Sequence, residues 1–156
     1  MPRIYTAKAK EITVAANTEL FSLYMNSGSV LARLRRLVIS MYQVSLPTAQ
    51  GLEAILKRFS SPTQNTSGTA ITPDKEDPGD AASVATVYAG NTALSSGTLD
   101  WEWDDGCYFF TGRELVFPSP ILIPKSRLLS VYLPNGPTGS PTPVVNAMLE
   151  WEEEGA

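Results

Sequence analysis

The sequence predicts an all-β domain, an antiparallel sandwich of jelly-roll type, with an immunoglobulin-like sandwich as the second choice. Three observations carry that prediction. With 12 prolines and 11 glycines in 156 residues, the chain is broken too often for long helices. Its β-branched and aromatic residues fall in short runs, several of which alternate apolar and polar side chains at the two-residue period of a half-buried strand. The runs add up to about eight to ten short strands separated by turns, with no internal repeat, the pattern of a sandwich rather than of alternating helices and strands.

The elements follow in order. Residues 3 to 25, RIYTAKAKEITVAANTELFSLYM, break at Asn17 into two or three strands and end in the turn composition NSGS at 26 to 29. In LARLRRLVISMYQVSL, Leu37, Ile39 and Met41 share one strand face, and Arg36, Val38, Ser40 and Tyr42 share the other. A helix from Ser29 to Ile39 would also align Leu31, Leu34 and Val38, but the β-branched VIS and the following YQV favour a strand. After a turn from Pro47 to Gly51, LEAILKRFS reads as a strand with Ile55 and Phe59 on one side and Leu52, Ala54 and Leu56 on the other.

From Ser60 to Gly97 small and polar residues dominate. Within a single domain spanning 1–156 this stretch is expected to be a long inserted loop or arm, a length usual only for functional or mobile connections. Asp77 as N-cap, Pro78 at the first helical position and Asp80 three residues after the cap predict one short helix at about 78 to 86. In TLDWEWDD, Leu99, Trp101 and Trp103 alternate with Asp100, Glu102 and Asp104, and Asp105-Gly106 predicts a hairpin turn into CYFFTG. RELVFPSPILIP reads as two short strands broken by Pro118 and Pro120, which suit a sheet edge or corner. SRLLSVYLP, the turn NGPTGSPTP and a last strand VVNAMLEWEEE complete the chain.

Composition removes several function classes. Histidine is absent, which excludes Ser-His-Asp and Cys-His catalysis and histidine metal sites. Cys107 alone can make neither an intramolecular disulfide nor a zinc site, and it reads as a small buried hydrophobe. A net charge of -4 and a pI near 4.8 oppose direct nucleic-acid binding. No apolar run reaches signal-peptide or membrane-span length, so a soluble protein made in the cytoplasm, with no membrane partner and no cofactor, is expected.

Four features bear on partners. The carboxylates of TPDKEDPGD (Asp74, Glu76, Asp77 and Asp80) offer oxygens to Ca²⁺, but Lys75 interrupts them and the spacing is not that of a calcium loop; they read as a solvated turn with a cap. Trp101 and Trp103 could stack on a sugar, yet their shared strand face with Leu99 points to core or subunit interface. Arg33, Arg35 and Arg36 form a local basic patch that reads equally as a site for acidic groups of a partner and as a solvated strand end. EWEEEGA reads as a charged tail, with pairing to such arginines on a neighbouring subunit as the alternative.

The strand ending in LEAILKRFS, the pattern GTA-TP-K-DP-DAA within GTAITPDKEDPGDAAS, the tryptophan strand and the closing AMLEWEEE together resemble small structural proteins of tailed bacteriophages, over about residues 34 to 156. That resemblance implies a β-sandwich decoration or cement protein on the virion capsid surface, a homotrimer bound to the major capsid protein, without catalysis. It also implies that the 60 to 97 segment contacts a partner. A neck, tail or fibre-associated component, and a carbohydrate-binding module, are the alternatives. The candidate contact residues are Arg33, Arg35, Arg36, Thr72, Pro73, Asp77, Trp101 and Trp103.

Overall fold

Apolar and polar residues that alternate at period two need a second surface on which to bury one face, and here two sheets supply it to each other. The computed structural model describes residues 1–26, 30–42, 52–109, 112–136 and 143–155, and for 105–109 the backbone alone. Eleven strands run in chain order: β1 (Arg3–Thr13), β2 (Thr18–Met25), β3 (Val30–Tyr42), β4 (Leu52–Thr63), β5 (Thr69–Ile71), β6 (Asp74–Lys75), β7 (Ala85–Asn91), β8 (Ser96–Phe109), β9 (Gly112–Ile123), β10 (Arg127–Leu133) and β11 (Val144–Gly155). One sheet has the order β6-β1-β11-β3-β9 and the other β5-β7-β2-β10-β4-β8.

The pairings explain that order. β1 with β11, β2 with β10, β3 with β9 and β4 with β8 form one long antiparallel ribbon. Rolling the ribbon until β11 meets β3 and β10 meets β4 closes it into two sheets, which is the jelly-roll arrangement the sequence predicted. Successive strands therefore cross between sheets, except at the ribbon tip, where β5, β6 and β7 intervene between β4 and β8.

Side-chain parity places the core. On β11, Val145, Ala147, Leu149 and Trp151 point inward; on β10, Leu129, Val131 and Leu133 do so. On β3, Leu37, Ile39 and Met41 are buried, as their alternation predicted, but Ala32 and Leu34 are buried too. The change of phase comes from a bulge: Glu150 pairs with Arg36 and Trp151 with Leu34, so Arg35 has no opposite residue on β11. The helical alternative for this stretch is absent.

Three expectations are corrected. No helix occurs among the described residues, and the signals at 77 to 80 make a turn instead: Asp80 N–H donates to Asp77 C=O at 3.0 Å and Gly79 N–H to Asp77 Oδ1 at 2.8 Å. Asp, Pro and Gly favour the first three positions of a turn as strongly as Asp-Pro favours a helix start, and the strand β7 that follows decides between them. The 60 to 97 stretch is built into the sheets rather than looped out. It carries the end of β4, all of β5 to β7 and the start of β8, and β7 buries Ala85, Val87 and Ala89 beside β2.

Asp105-Gly106 lies inside β8 and not in a hairpin turn. Ile55 pairs with Asp104 and Glu53 with Tyr108, so the dipeptide sits in a bulge opposite Ala54, where continued pairing with β4 outweighs its local turn preference. Of the predicted turns at 26 to 29 and 135 to 143, residues 27 to 29 and 137 to 142 lie outside the described residues, as do the turn at 47 to 51 and the Cys107 side chain.

The glycine that opens the GTA pattern has a clear reason. A Cβ on Gly68 would stand 2.1 Å from the Ala89 carbonyl oxygen and 2.7 Å from Asn91 Oδ1, so only glycine lets this backbone close onto β7.

Candidate interaction surface

The candidate contact residues fall in three places. Arg33, Arg35 and Arg36 stand on the outer face of the first sheet, where the Arg35 bulge turns two consecutive arginines outward. Glu150, Glu152 and Glu154 alternate outward on the neighbouring strand. Arg33 Nη1 lies 3.3 Å from Glu152 Oε1 and also contacts Glu154; Arg35 Nη1 is 2.8 Å from Glu152 Oε2. Arg36 bridges Glu150 at 3.1 Å and Glu114 of β9 at 3.2 Å. Hydrogen bonds that Arg33 donates to Glu154 and Arg36 to Glu114 hold both guanidinium groups above the usual arginine range. EWEEEGA is therefore not the charged tail expected of it: through Gly155 it belongs to β11, and the pairing that the alternative placed on a neighbouring subunit is made within the chain. Three arginines face four glutamates, so the patch carries no excess of positive charge.

Thr72, Pro73 and Asp77 lie on the opposite side, in a strap that leaves β5 at the edge of one sheet, forms β6 at the edge of the other and returns to β7. The strap is tied down at several points. Glu76 N–H donates to Ile4 C=O at 3.0 Å, Tyr5 O–H to Ala81 C=O at 2.9 Å, and Lys75 Nζ to the carbonyls of Pro78 and Asp80 at 2.9 and 2.7 Å. Its return is gripped by Glu153, a buried carboxylate that accepts from Ser83 Oγ at 2.5 Å, Trp151 Nε1 at 3.0 Å and Val84 N–H at 3.2 Å. The strap carboxylates are occupied too: Asp74 by Lys8 at 3.3 Å and Asp80 by Arg3 at 3.8 Å. Among the described residues no group of three or more acidic or cysteine side chains could hold a metal ion.

Trp101 and Trp103 occupy the third place, the side where β8 and β9 are the outermost strands of their sheets. Both indoles are half-buried against the core, and Trp103 meets Phe117 of β9 edge-on, with ring centroids 6.1 Å apart. Leu99 does not share their face. Arg58 pairs with Trp101 and Phe59 with Leu99, so Asp100 is bulged out and Leu99 is left 48% exposed.

Comparison with known protein families and with curated proteins finds no match to this chain. The surface must therefore be weighed on its own chemistry. On the β8/β9 side, Val116 is 62% and Leu122 44% exposed, and a depression of about 470 Å³ runs beside Arg36, Glu114, Phe117 and Pro118. On the other side the strap pairs with β1 at Tyr5 and Thr6, and a depression of about 380 Å³ lies between the rest of β1 and the β5–β7 pair, beside Lys8, Lys10, Ile12, Thr69 and Thr92.

Sequence reasoning missed the charged residue that ties the β8/β9 side together. Asp100 accepts from Arg58 Nε and Arg127 Nε, each at 2.7 Å, while Arg58 Nη1 reaches across to the Leu122 carbonyl at 2.6 Å and so joins the two sheets. Burial opposes ionisation of Asp100, but the two guanidinium groups outweigh it and hold the carboxyl below the usual aspartate range. A carboxyl depressed in the folded state adds stability above its unfolded value, near pH 4, and loses it as pH falls through the folded value. Asp100→Asn is expected to lower stability at pH 7 by at most about 1 kcal/mol, given its solvent contact, with the deficit shrinking below about pH 4. Urea unfolding of both proteins at the two pH values checks this, and an equal deficit at both would discount the ion pairs.

Proposed function

We propose that this jelly roll is a virion structural protein of a tailed bacteriophage, a decoration or cement protein that binds the major capsid protein and stabilises the head. The observation that carries the reading is the asymmetry of the sandwich. One side is crossed by an anchored strap that pairs with β1 at Tyr5 and Thr6, while the other presents two long outermost strands, exposed Leu99, Val116 and Leu122, and half-buried Trp101 and Trp103. Unpaired strand edges with apolar side chains are a docking surface for another protein. The phage resemblance supplies the kind of partner, and capsid binding on a repeating lattice adds avidity to a modest contact.

The carbohydrate reading has less support, because both indoles turn toward the core and Trp103 packs on Phe117 instead of presenting a flat ring to solvent. Quantitative mass spectrometry of purified virions is the direct test. Copies in the hundreds, together with heads that lose heat resistance when the protein is omitted, are the expected result. About a dozen copies would assign the protein to the neck or tail, and absence from the particle would end the virion reading.

A further inference from the structure

β1 lies between β11 and β6 in its sheet, but β6 is two residues long and pairs with Tyr5 and Thr6 alone. At Pro73 and Thr72 the strap turns away to β5 of the other sheet, so beyond Thr6 no described strand lies beside this edge of β1. Across the β1–β6 pair, Ile4 C=O accepts from Glu76 N–H. Backbone groups alternate in direction along a strand, so Lys8 and Lys10, at even steps from Ile4, turn their N–H and C=O toward the open edge.

The space beside that edge suits an extended chain. The depression of about 380 Å³ reaches inward to Ile12, Ile71 and Ala89, an apolar floor for every second side chain of an added strand. The alternate side chains of such a strand would lie beside Lys8 and Lys10, both exposed. β6 already shows what these lysines accept: Asp74, opposite Thr6, reaches diagonally to Lys8 at 3.3 Å. Lys10, two residues on, has no ion pair among the described residues. Glu11 follows it in the bulge and donates its N–H to Asn146 Oδ1, on the β11 side.

These charges select the occupant. A second copy of β1 laid antiparallel here, centred between Lys8 and Lys10, would set lysine opposite lysine, which opposes pairing. We propose that the open edge of β1 takes up an acidic extended segment of a partner protein, added antiparallel in line with β6, with its backbone paired to Lys8 and Lys10 and an acidic side chain opposite each. The acid opposite Lys8 repeats toward Lys10 the diagonal contact that Asp74 makes with Lys8. Main-chain bonds supply the affinity of such strand addition, and the two lysines choose the sequence. The surface lies across the sandwich from β8 and β9 and does not depend on the capsid reading.

A capped hexapeptide of alternating aspartate and valine is the probe, titrated into the isotope-labelled full chain and followed by NMR. The amides of Lys8 and Lys10 are expected to shift and to gain protection from hydrogen exchange. Lys10→Glu, at an exposed position that leaves the fold intact, should raise the dissociation constant about fivefold. A hexapeptide of alternating lysine and valine should not bind. The aspartate peptide N-methylated at its aspartates should not bind either, since it keeps the charge and loses the main-chain donors. Equal binding by the lysine peptide, undiminished binding by the methylated one, or no shift at Lys8 and Lys10 overturns the proposal.

Discussion

Replacing Glu19 with alanine is expected to remove about 4 kcal/mol of stability, a large share of the 5–15 kcal/mol typical of a domain. Glu19 is 0% exposed. Its charge is held by four donors: Asn91 Nδ2 at 2.7 Å and Ser95 Oγ at 2.9 Å on Oε1, and Ser95 N–H at 2.8 Å and Ser130 Oγ at 2.5 Å on Oε2. The network continues outward, because Asn91 also donates to the Asn65 carbonyl and accepts from Gly68 N–H, while Gln64 Nε2 reaches the Ser22 and Thr86 carbonyls. One carboxylate thus pins the segments on either side of β7 to the sheet. Alanine leaves these donors buried without an acceptor, and each such group costs about 1–3 kcal/mol. Glu19→Gln keeps the volume but turns an NH2 toward fixed donors, and about 2 kcal/mol is expected. Urea unfolding at pH 7 measures both, and proteolytic cutting should appear first at 64 to 68 and 91 to 95. A loss under about 1 kcal/mol for the alanine variant would mean that packing alone holds these segments.

Trp151→Ala is expected to cost a similar amount, about 4 kcal/mol, through a different mechanism. Trp151 is fully buried, lies opposite Tyr5 in the β1–β11 register with ring centroids 6.0 Å apart, and donates to Glu153. Its removal opens a cavity beneath both sheets and takes one of three donors from the buried Glu153 carboxylate. Trp151→Phe keeps most of the volume and loses the indole N–H bond, so about 2 kcal/mol is expected. Trp103→Ala, at the half-buried open side, should cost about half as much as Trp151→Ala. Far-UV circular dichroism followed through urea unfolding ranks the three variants without relying on tryptophan emission. Equal losses for Trp103 and Trp151 would make the open side part of the core and remove its claim to be a docking surface.

Which parts of the fold were legible follows from the range of the forces involved. The inward set Leu37, Ile39 and Met41 could be read directly, because strand parity is a local property and the pattern is unbroken there. Parity failed at Arg35 and Asp100, where a bulge changes the face of every residue beyond it and depends on a neighbouring strand the sequence does not identify. β7 was hidden because its inward residues are Ala85, Val87 and Ala89, two of them too small to mark a strand. The candidate site was legible in part. The arginines and tryptophans were found, but their partners Glu114, Glu150, Glu152, Glu154 and Phe117 are distant in sequence. Glu19 offered one signal, a lone acid inside the apolar run TELFSL, and Glu153 another, an inward position two residues from Trp151.

By itself the sequence determined an antiparallel sandwich, the faces of its regular strands and the absence of histidine chemistry, since composition, turn residues and period-two alternation act within a few residues. Only the tertiary structure decided that the arginine patch is neutralised by the last strand, that the 60 to 97 stretch is sheet and anchored strap, and that β8 and β9 share one uncovered side. Those outcomes rest on contacts between residues tens of positions apart, and the rolling of the ribbon brings them together.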